Sequence, residues 1–320
     1  MAVVVADAMV VETIHSILTD HCTPERIGAA EGKIDTTLWK LLEDSGLTLV
    51  GIEESRGGSG GTPHDQAAIV KACGFHAAPV PLAESFHAAG LLAARGTAIP
   101  SGPLAVATVF GGRARAWYGG VAIAVVTAAG SSPGDTSGSN YAGEPFCDLP
   151  PDFAVGDADI VGALYRSLLM AGACARVVDL SVQYAQEREQ FGKPIGRFQI
   201  LQHYLAEMAG EAAMADAAAD NAVDALAGGA TGDDARRAVA GAKVIAGRAA
   251  ATITRLAHQI HGAIGYTDEH RLQYWTRRLW AWRDEHGSEH EWAATLGRSM
   301  AVAGADALWP IVTTWPPAIG

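Results

Sequence analysis

Apolar residues recur at helical spacing through most of the C-terminal half of the chain. Leu164, Leu168, Ala171, Ala175, Val178 and Val182 share one face up to Arg188, and Gly192-Lys193-Pro194 then breaks the period. A continuous helix over 160–188 would extend about 40 Å at roughly 1.5 Å per residue. Phe198 to Leu226 and Asp234 to His261 predict two more helices of similar length, joined by Gly228-Gly229 and Gly232. Alanine dominates all three stretches, which favours helix formation and close helix-helix approach. A bundle of long helices is the natural product.

Upstream the period changes twice. To about residue 95 the pattern is helical, with Val10, Val11, Ile14, Ile17 and Leu18 on one face and a second helix over Leu38 to Leu42 ending near Gly46. A glycine-rich loop, Ile52-Glu-Glu-Ser-Arg-Gly-Gly-Ser-Gly-Gly-Thr62, leads into another helix from Pro63. Between 100 and 155 short β-type runs take over, Leu104 to Phe110 and Ala116 to Thr127, with 130–140 reading as a loop. The expected organisation is therefore an N-terminal helical domain over 1–98, a reduced middle β-domain over 99–156 and a C-terminal helical bundle over 157–320. The chain is mainly α with a small β-domain.

Composition narrows the classes of function. A chain of 320 residues with 49% hydrophobic residues is long enough to bury a substantial core. No run is expected to reach the length of a bilayer-spanning helix. The net charge of -12 argues against nucleic acid or an anionic membrane surface as partner, so an anionic ligand would have to be met locally. Met1 to Ala6 shows neither the basic leader nor the apolar core of a secretory signal. Cys22, Cys73, Cys147 and Cys174 lack metal or redox spacing, and a reducing cytoplasm is the expected setting.

Two corners carry candidate chemistry. Arg188 closes a helix just before Gln190-Phe191-Gly192, offering a planar donor fork for phosphate oxygens and an aromatic face for a base. An exposed arginine at a helix end could equally cap its own helix carbonyls, and spacing alone leaves both uses open. Gln199 and His203 lie about one turn apart on the next helix and can point back to the same corner. Gln259, Gly262, Ala263 and Gly265 form a second corner, where backbone can approach a ligand closely. Because this glycine pattern follows a helix rather than a strand, it is not the nicotinamide dinucleotide fingerprint. Two matched corners suggest one dinucleotide.

Other features read as structure. His258 with His261, and His286 with His290, have helical metal-pair spacing but no accompanying ligand set, so no metal is expected. Six of the eight tryptophans follow residue 270, as expected of core or subunit contact.

Taken in order, the glycine-rich loop after Ile52, Glu187-Arg188-Glu189-Gln190-Phe191-Gly192, Phe198-Gln199 and His261-Gly-Ala-Ile-Gly-Tyr-Thr-Asp-Glu-His270 resemble the acyl-CoA dehydrogenase family of flavoproteins. The resemblance spans roughly Leu38 to Met300. It implies a helical domain, a β-domain and a four-helix bundle, with FAD as cofactor. It also implies that Arg188, Gln190, Phe191, Gln199, Gln259 and the Gly262-Ala263 backbone meet the ADP part of a flavin held mainly by a neighbouring subunit. Ala263 departs from the family's second glycine.

Two further departures bear on catalysis. The family's flavin-ring loop and the strand beside it are missing between 100 and 155. The family's basic glutamate falls on Glu285 or His286 depending on a one-residue shift, and the alternative position on the first bundle helix is Gly162. Glu285 is thus the candidate catalytic base, set against a solvated loop carboxylate with the base supplied by a partner. The resemblance implies the smaller subunit of a heteromeric, α2β2, enzyme of the kind actinobacteria use on steroid-derived CoA thioesters. Its expected partners are a full-length acyl-CoA dehydrogenase subunit, an acyl-CoA substrate and an electron-transfer flavoprotein. A homo-oligomer using Glu285 or His286 as base, and a non-catalytic scaffold that has lost flavin, are the competing expectations.

Overall fold

The computed structural model describes residues 5–110 and 112–313. Among the described residues five α-helices come first: α1 (Ala8–His21), α2 (Pro24–Ala29), α3 (Thr36–Asp44), α4 (Pro63–His76) and α5 (Leu82–Ala94). Their starts are chemically marked. Asp7, Thr23 and Asp35 accept backbone N–H groups at the first turns of α1, α2 and α3, and Thr62 with Asp65 forms a reciprocal cap on α4.

Seven short strands follow: β1 (Leu104–Val106), β2 (Thr108–Phe110), β3 (Arg113–Trp117), β4 (Ala124–Thr127), β5 (Gly130–Ser132), β6 (Gly138–Ser139) and β7 (Pro145–Leu149). They form two small sheets, ordered β1-β4-β5 and β2-β3-β7-β6. The run from Leu104 to Phe110 is therefore not one strand. It changes sheet at Ala107, whose N–H donates to Val126 and whose carbonyl accepts from Val155. Likewise Ala116 to Thr127 is the end of β3, a turn and β4, and the expected loop over 130–140 contains β5 and β6.

The remaining elements are α6 (Ala158–Glu187), a two-residue hairpin of β8 (Glu189–Gln190) and β9 (Lys193–Pro194), α7 (Gln199–Ala227), α8 (Gly232–His261), α9 (Gln273–Asp284), α10 (Glu289–Ala303) and α11 (Ala305–Thr313). α6, α7 and α8 pack side by side, and the main hydrophobic core runs through them into α4. Alanine permits the close fit: Ala240, Ala242, Ala246, Ala249, Ala250 and Ala257 are all buried on α8. At the crossing of α4 and α6 the approach is closer still. A Cβ at Gly74 would lie 2.0 Å from the Leu169 carbonyl oxygen, and one at Gly172 2.0 Å from that of Lys71. Reciprocal glycines thus let two backbones touch, fastening the N-terminal helices to the bundle.

One sequence expectation fails here. α6 is long and apolar enough to cross a membrane by length and composition, although no run was expected to be. Its most apolar window is 78% buried inside the bundle, because a central helix packed on all sides needs an apolar surface all round.

Candidate functional site

The exterior corner forms where three helix ends meet. Arg188 ends α6, the β8-β9 hairpin turns through Phe191 and Gly192, and α8 stops at His261. Gly262 adopts φ +64°, ψ -144°, a conformation that favours glycine, and so turns the chain sharply out of α8. Arg188, Gln190, Phe191, His261, Gly262 and Ala263 line one cavity of about 590 Å³ with apolar neighbours from α7. That volume falls within the roughly 300–1,000 Å³ usual for small-molecule sites.

Five of the seven residues expected at the cofactor therefore come together: Arg188, Gln190, Phe191, Gly262 and Ala263. Gln199 and Gln259 do not line the cavity. Both are exposed at the ends of α7 and α8. The Arg188 guanidinium makes no side-chain hydrogen bond or ion pair among the described residues, so it does not cap its own helix. Phe191 is held at φ +51° with its ring 90% exposed, edge-on to Phe198. A free guanidinium, an uncovered aromatic face and a sharply turned glycine suit the phosphates, base and close approach of an ADP group.

The interior is organised differently. α5, α6, the small sheets and the loop after α9 converge around Arg166, which lies between two carboxylates. Its Nε donates to Glu285 Oε2 at 2.5 Å, and its Nη2 lies 2.6 Å from Glu84 Oε1. Asn140 Nδ2 bridges Glu285 and Glu144, at 2.7 and 2.9 Å. Glu144 in turn accepts from Trp282 and pairs with Arg278. Lys243, wholly buried on α8, donates to the carbonyls of Trp282 and Arg283 at the end of α9.

Burial governs the protonation of this cluster. It pushes Glu285 up to about 7 against the opposing pull of Arg166, and it pushes Lys243 down to about 7. Arg166 is also disfavoured by burial, but Glu84, Glu285 and Glu144 more than compensate and keep it charged. Three cations, Arg166, Lys243 and Arg278, face three carboxylates, Glu84, Glu144 and Glu285. The cluster is electroneutral when all six are ionised, and equally when the proton of Lys243 resides on Glu285.

Glu285 is thus no solvated loop carboxylate: it is 2% exposed and its oxygens are taken up by Arg166 and Asn140. His286, the alternative base, is also buried. Its imidazole sits over Gly162, where a Cβ would come within 2.3 Å of Nδ1. Burial and the nearby Arg166 cation hold it neutral. Of the three positions at which the family base was expected, 162 and 286 therefore touch, and Glu285 is tied to the same spot through Arg166. The cavity left there, between Glu84, Trp117, Gly162, Arg166 and His286, measures about 10 Å³.

Sequence reasoning missed Arg166, Lys243, Glu84 and Glu144. A signal existed for two of them: Arg166 and Lys243 lie on helix faces whose neighbours, Ala163, Met170, Val239 and Ala246, are apolar. The other paired histidines have ring partners, His258 stacking on Tyr266 and His261 on Tyr184. Trp275, Trp282 and Trp292 are buried, Trp280 and Trp309 are exposed, and Trp315 lies outside the described residues.

Residues 162–299 match the model of the acyl-CoA dehydrogenase C-terminal domain. The chain is 31% identical over 298 residues to acyl-CoA dehydrogenase IpdE2 of Mycolicibacterium smegmatis, covering 87% of this chain and 91% of that protein. The chain belongs to the acyl-CoA dehydrogenase family. Members of this family are FAD-binding flavoproteins. Solved structures agree in fold. A chain of the ChsE4-ChsE5 complex from Mycobacterium tuberculosis aligns with a TM-score of 0.75 at 22% identity, over 93% of this chain and 97% of that one. A chain of the Tcur3481-Tcur3483 steroid acyl-CoA dehydrogenase aligns with a TM-score of 0.77 at 24% identity, over 92% and 97%.

Proposed function

We propose that this chain is the smaller subunit of a heteromeric, FAD-dependent acyl-CoA dehydrogenase, lending its Arg188 corner to a flavin carried mainly by a full-length partner. One observation carries the reading: the chain pairs an open exterior corner fitted to an ADP group with an interior centre closed by its own side chains.

Arg188 would hold the diphosphate, Phe191 would cover the base, and the Gly262-Ala263 backbone would approach from the other side. Bound FAD supplies the hydride acceptor for the β-carbon. The acidic α-proton of the thioester passes to a carboxylate, which in this reading belongs to the partner, and an α,β-unsaturated acyl-CoA results. Electrons then leave through an electron-transfer flavoprotein. A steroid-derived thioester is the favoured substrate class, supported by the steroid acyl-CoA dehydrogenase among the solved structures of the same fold.

Flavin absorbance tests the reading. The purified chain is expected to carry little FAD alone and to yield a flavoprotein when assembled with a full-length relative encoded beside it. Stoichiometric FAD on the lone chain would overturn the split site. Turnover abolished by Glu285→Gln without loss of folding would favour a base on this chain.

A further inference from the structure

A separate cavity lies on the other face of α5. Glu84 and His87 border the space beside Arg166, whereas Ser85 and Ala89, one turn apart, face α3, the turn that follows it and the loop from Ile99 into β1. The space between these elements measures about 160 Å³. It shares no lining residue with the corner at Arg188 or with the centre at Arg166.

Its frame is pinned from two helices. Ser85 Oγ accepts from the Leu104 N–H at 2.9 Å and lies 3.2 Å from the Leu104 carbonyl, to which it donates. Glu43 Oε1 accepts from the Gly102 N–H at 2.7 Å, and Gly102 takes φ +111°, a conformation open to glycine. These bonds set the spacing between the loop and both helices.

The lining is chemically unfinished. Trp39, 5% exposed, leaves its Nε1 donor without an acceptor, and Thr48, equally buried, makes no side-chain hydrogen bond among the described residues. Glu43, one turn beyond Trp39 on α3, has the Gly102 N–H as a partner but no cation among the described residues. Buried polar groups in folded proteins are nearly always satisfied. Three unmet groups around one cavity therefore call for an occupant that supplies what they lack.

The chemistry of that occupant follows by elimination. No Lys, Arg or His lines the cavity, so an anion would face Glu43 uncompensated. An ammonium group only donates and would leave the Trp39 N–H unmet, and a hydrocarbon would leave all three groups unmet. A hydroxyl donates to a carboxylate and accepts from an indole N–H. Leu49, Ala89, Ile99 and Leu104 supply apolar walls for its carbon skeleton. Size limits that skeleton to one ring, since a cavity of about 150 Å³ holds benzene.

We propose that this cavity binds a neutral single-ring alcohol or phenol, with its hydroxyl shared between Trp39 and Glu43 and its ring against the apolar walls. The site is independent of the flavin and of the heteromeric reading.

Phenol is the probe, and benzene, the same ring without the hydroxyl, is its control. Each is titrated calorimetrically into the purified full-length chain. One phenol per chain is expected, bound about ten-fold more tightly than benzene. In Trp39→Phe, which keeps an aromatic ring but loses the N–H, that preference should fall to about two-fold or less. Ala89→Leu fills the cavity and should abolish phenol binding in a chain shown by circular dichroism to be folded; if that variant does not fold, the Trp39→Phe comparison decides alone. No saturable phenol binding would mean that the cavity holds water only and would overturn the proposal. Equal affinity for phenol and benzene, an unchanged preference in Trp39→Phe, or undiminished binding to folded Ala89→Leu would overturn it too.

Discussion

Arg166 and Glu285, 119 positions apart in the sequence, meet at 2.5 Å with each side chain only 2% exposed. Such a pair contributes little net stability against water but is costly to break. Arg166→Ala should therefore lower unfolding free energy by about 3–5 kcal/mol, seen as a fall in the urea midpoint. Adding Glu84→Gln and Glu285→Gln should recover much of that loss by removing the stranded charges. A single variant that unfolds like the wild type would show that solvent reaches the cluster.

The contact between Gly162 and His286 gives a second prediction. Gly162→Ala forces a methyl group into the imidazole and should cost about 1–3 kcal/mol in a urea melt. In a His286→Gly background the same change should cost much less, since the obstruction is gone. Strictly additive effects would mean that the cost of the methyl does not come from the imidazole.

Acid should weaken the fold. Burial holds His76, His87 and His261 down to about 4, and His286 is depressed too. As pH falls from about 6.5 towards 4, the unfolded chain takes up protons on these imidazoles that the folded chain refuses, so stability present above 6.5 is lost through that window. Glu285, raised to about 7, works the other way, since its contribution is present at low pH and is lost as pH rises through 7. Several imidazoles outweigh one carboxyl, and the urea midpoint should fall between pH 6.5 and 4. A flat or rising midpoint would contradict the burial of these rings.

At the exterior corner the expected effect is on ligand, not on folding. Arg188→Ala removes a guanidinium with no side-chain partner among the described residues, so the urea midpoint of the chain should change by less than about 0.5 kcal/mol. Flavin affinity of the assembled complex should weaken about ten-fold to a hundred-fold, the range for losing a charge-assisted hydrogen bond. Fluorescence titration with FAD measures it. Unchanged affinity would favour a scaffold that has lost flavin.

Much of the helical architecture was legible because a helix writes its buried face into the local sequence. The stretches read as 160–188, Phe198 to Leu226 and Asp234 to His261 appear as Ala158–Glu187, Gln199–Ala227 and Gly232–His261. The small sheets were less legible, since three-residue strands are too short to show alternation, and the sheet change at Ala107 depends on partners some twenty and fifty residues away. At the exterior corner, Arg188, Gln190 and Phe191 are neighbours in sequence and so could be read together. The charge cluster could not: Glu84, Glu144, Arg166, Lys243, Arg278 and Glu285 belong to separate elements, and only tertiary packing makes them one group.

That dispersal has an evolutionary consequence. Replacing Arg166 strands two buried carboxylates at once, so this centre cannot lose its cation without loss of stability, whereas the exterior corner can vary one residue at a time. The buried triplet acts as a ratchet: its members can change together far more easily than its arginine can change alone.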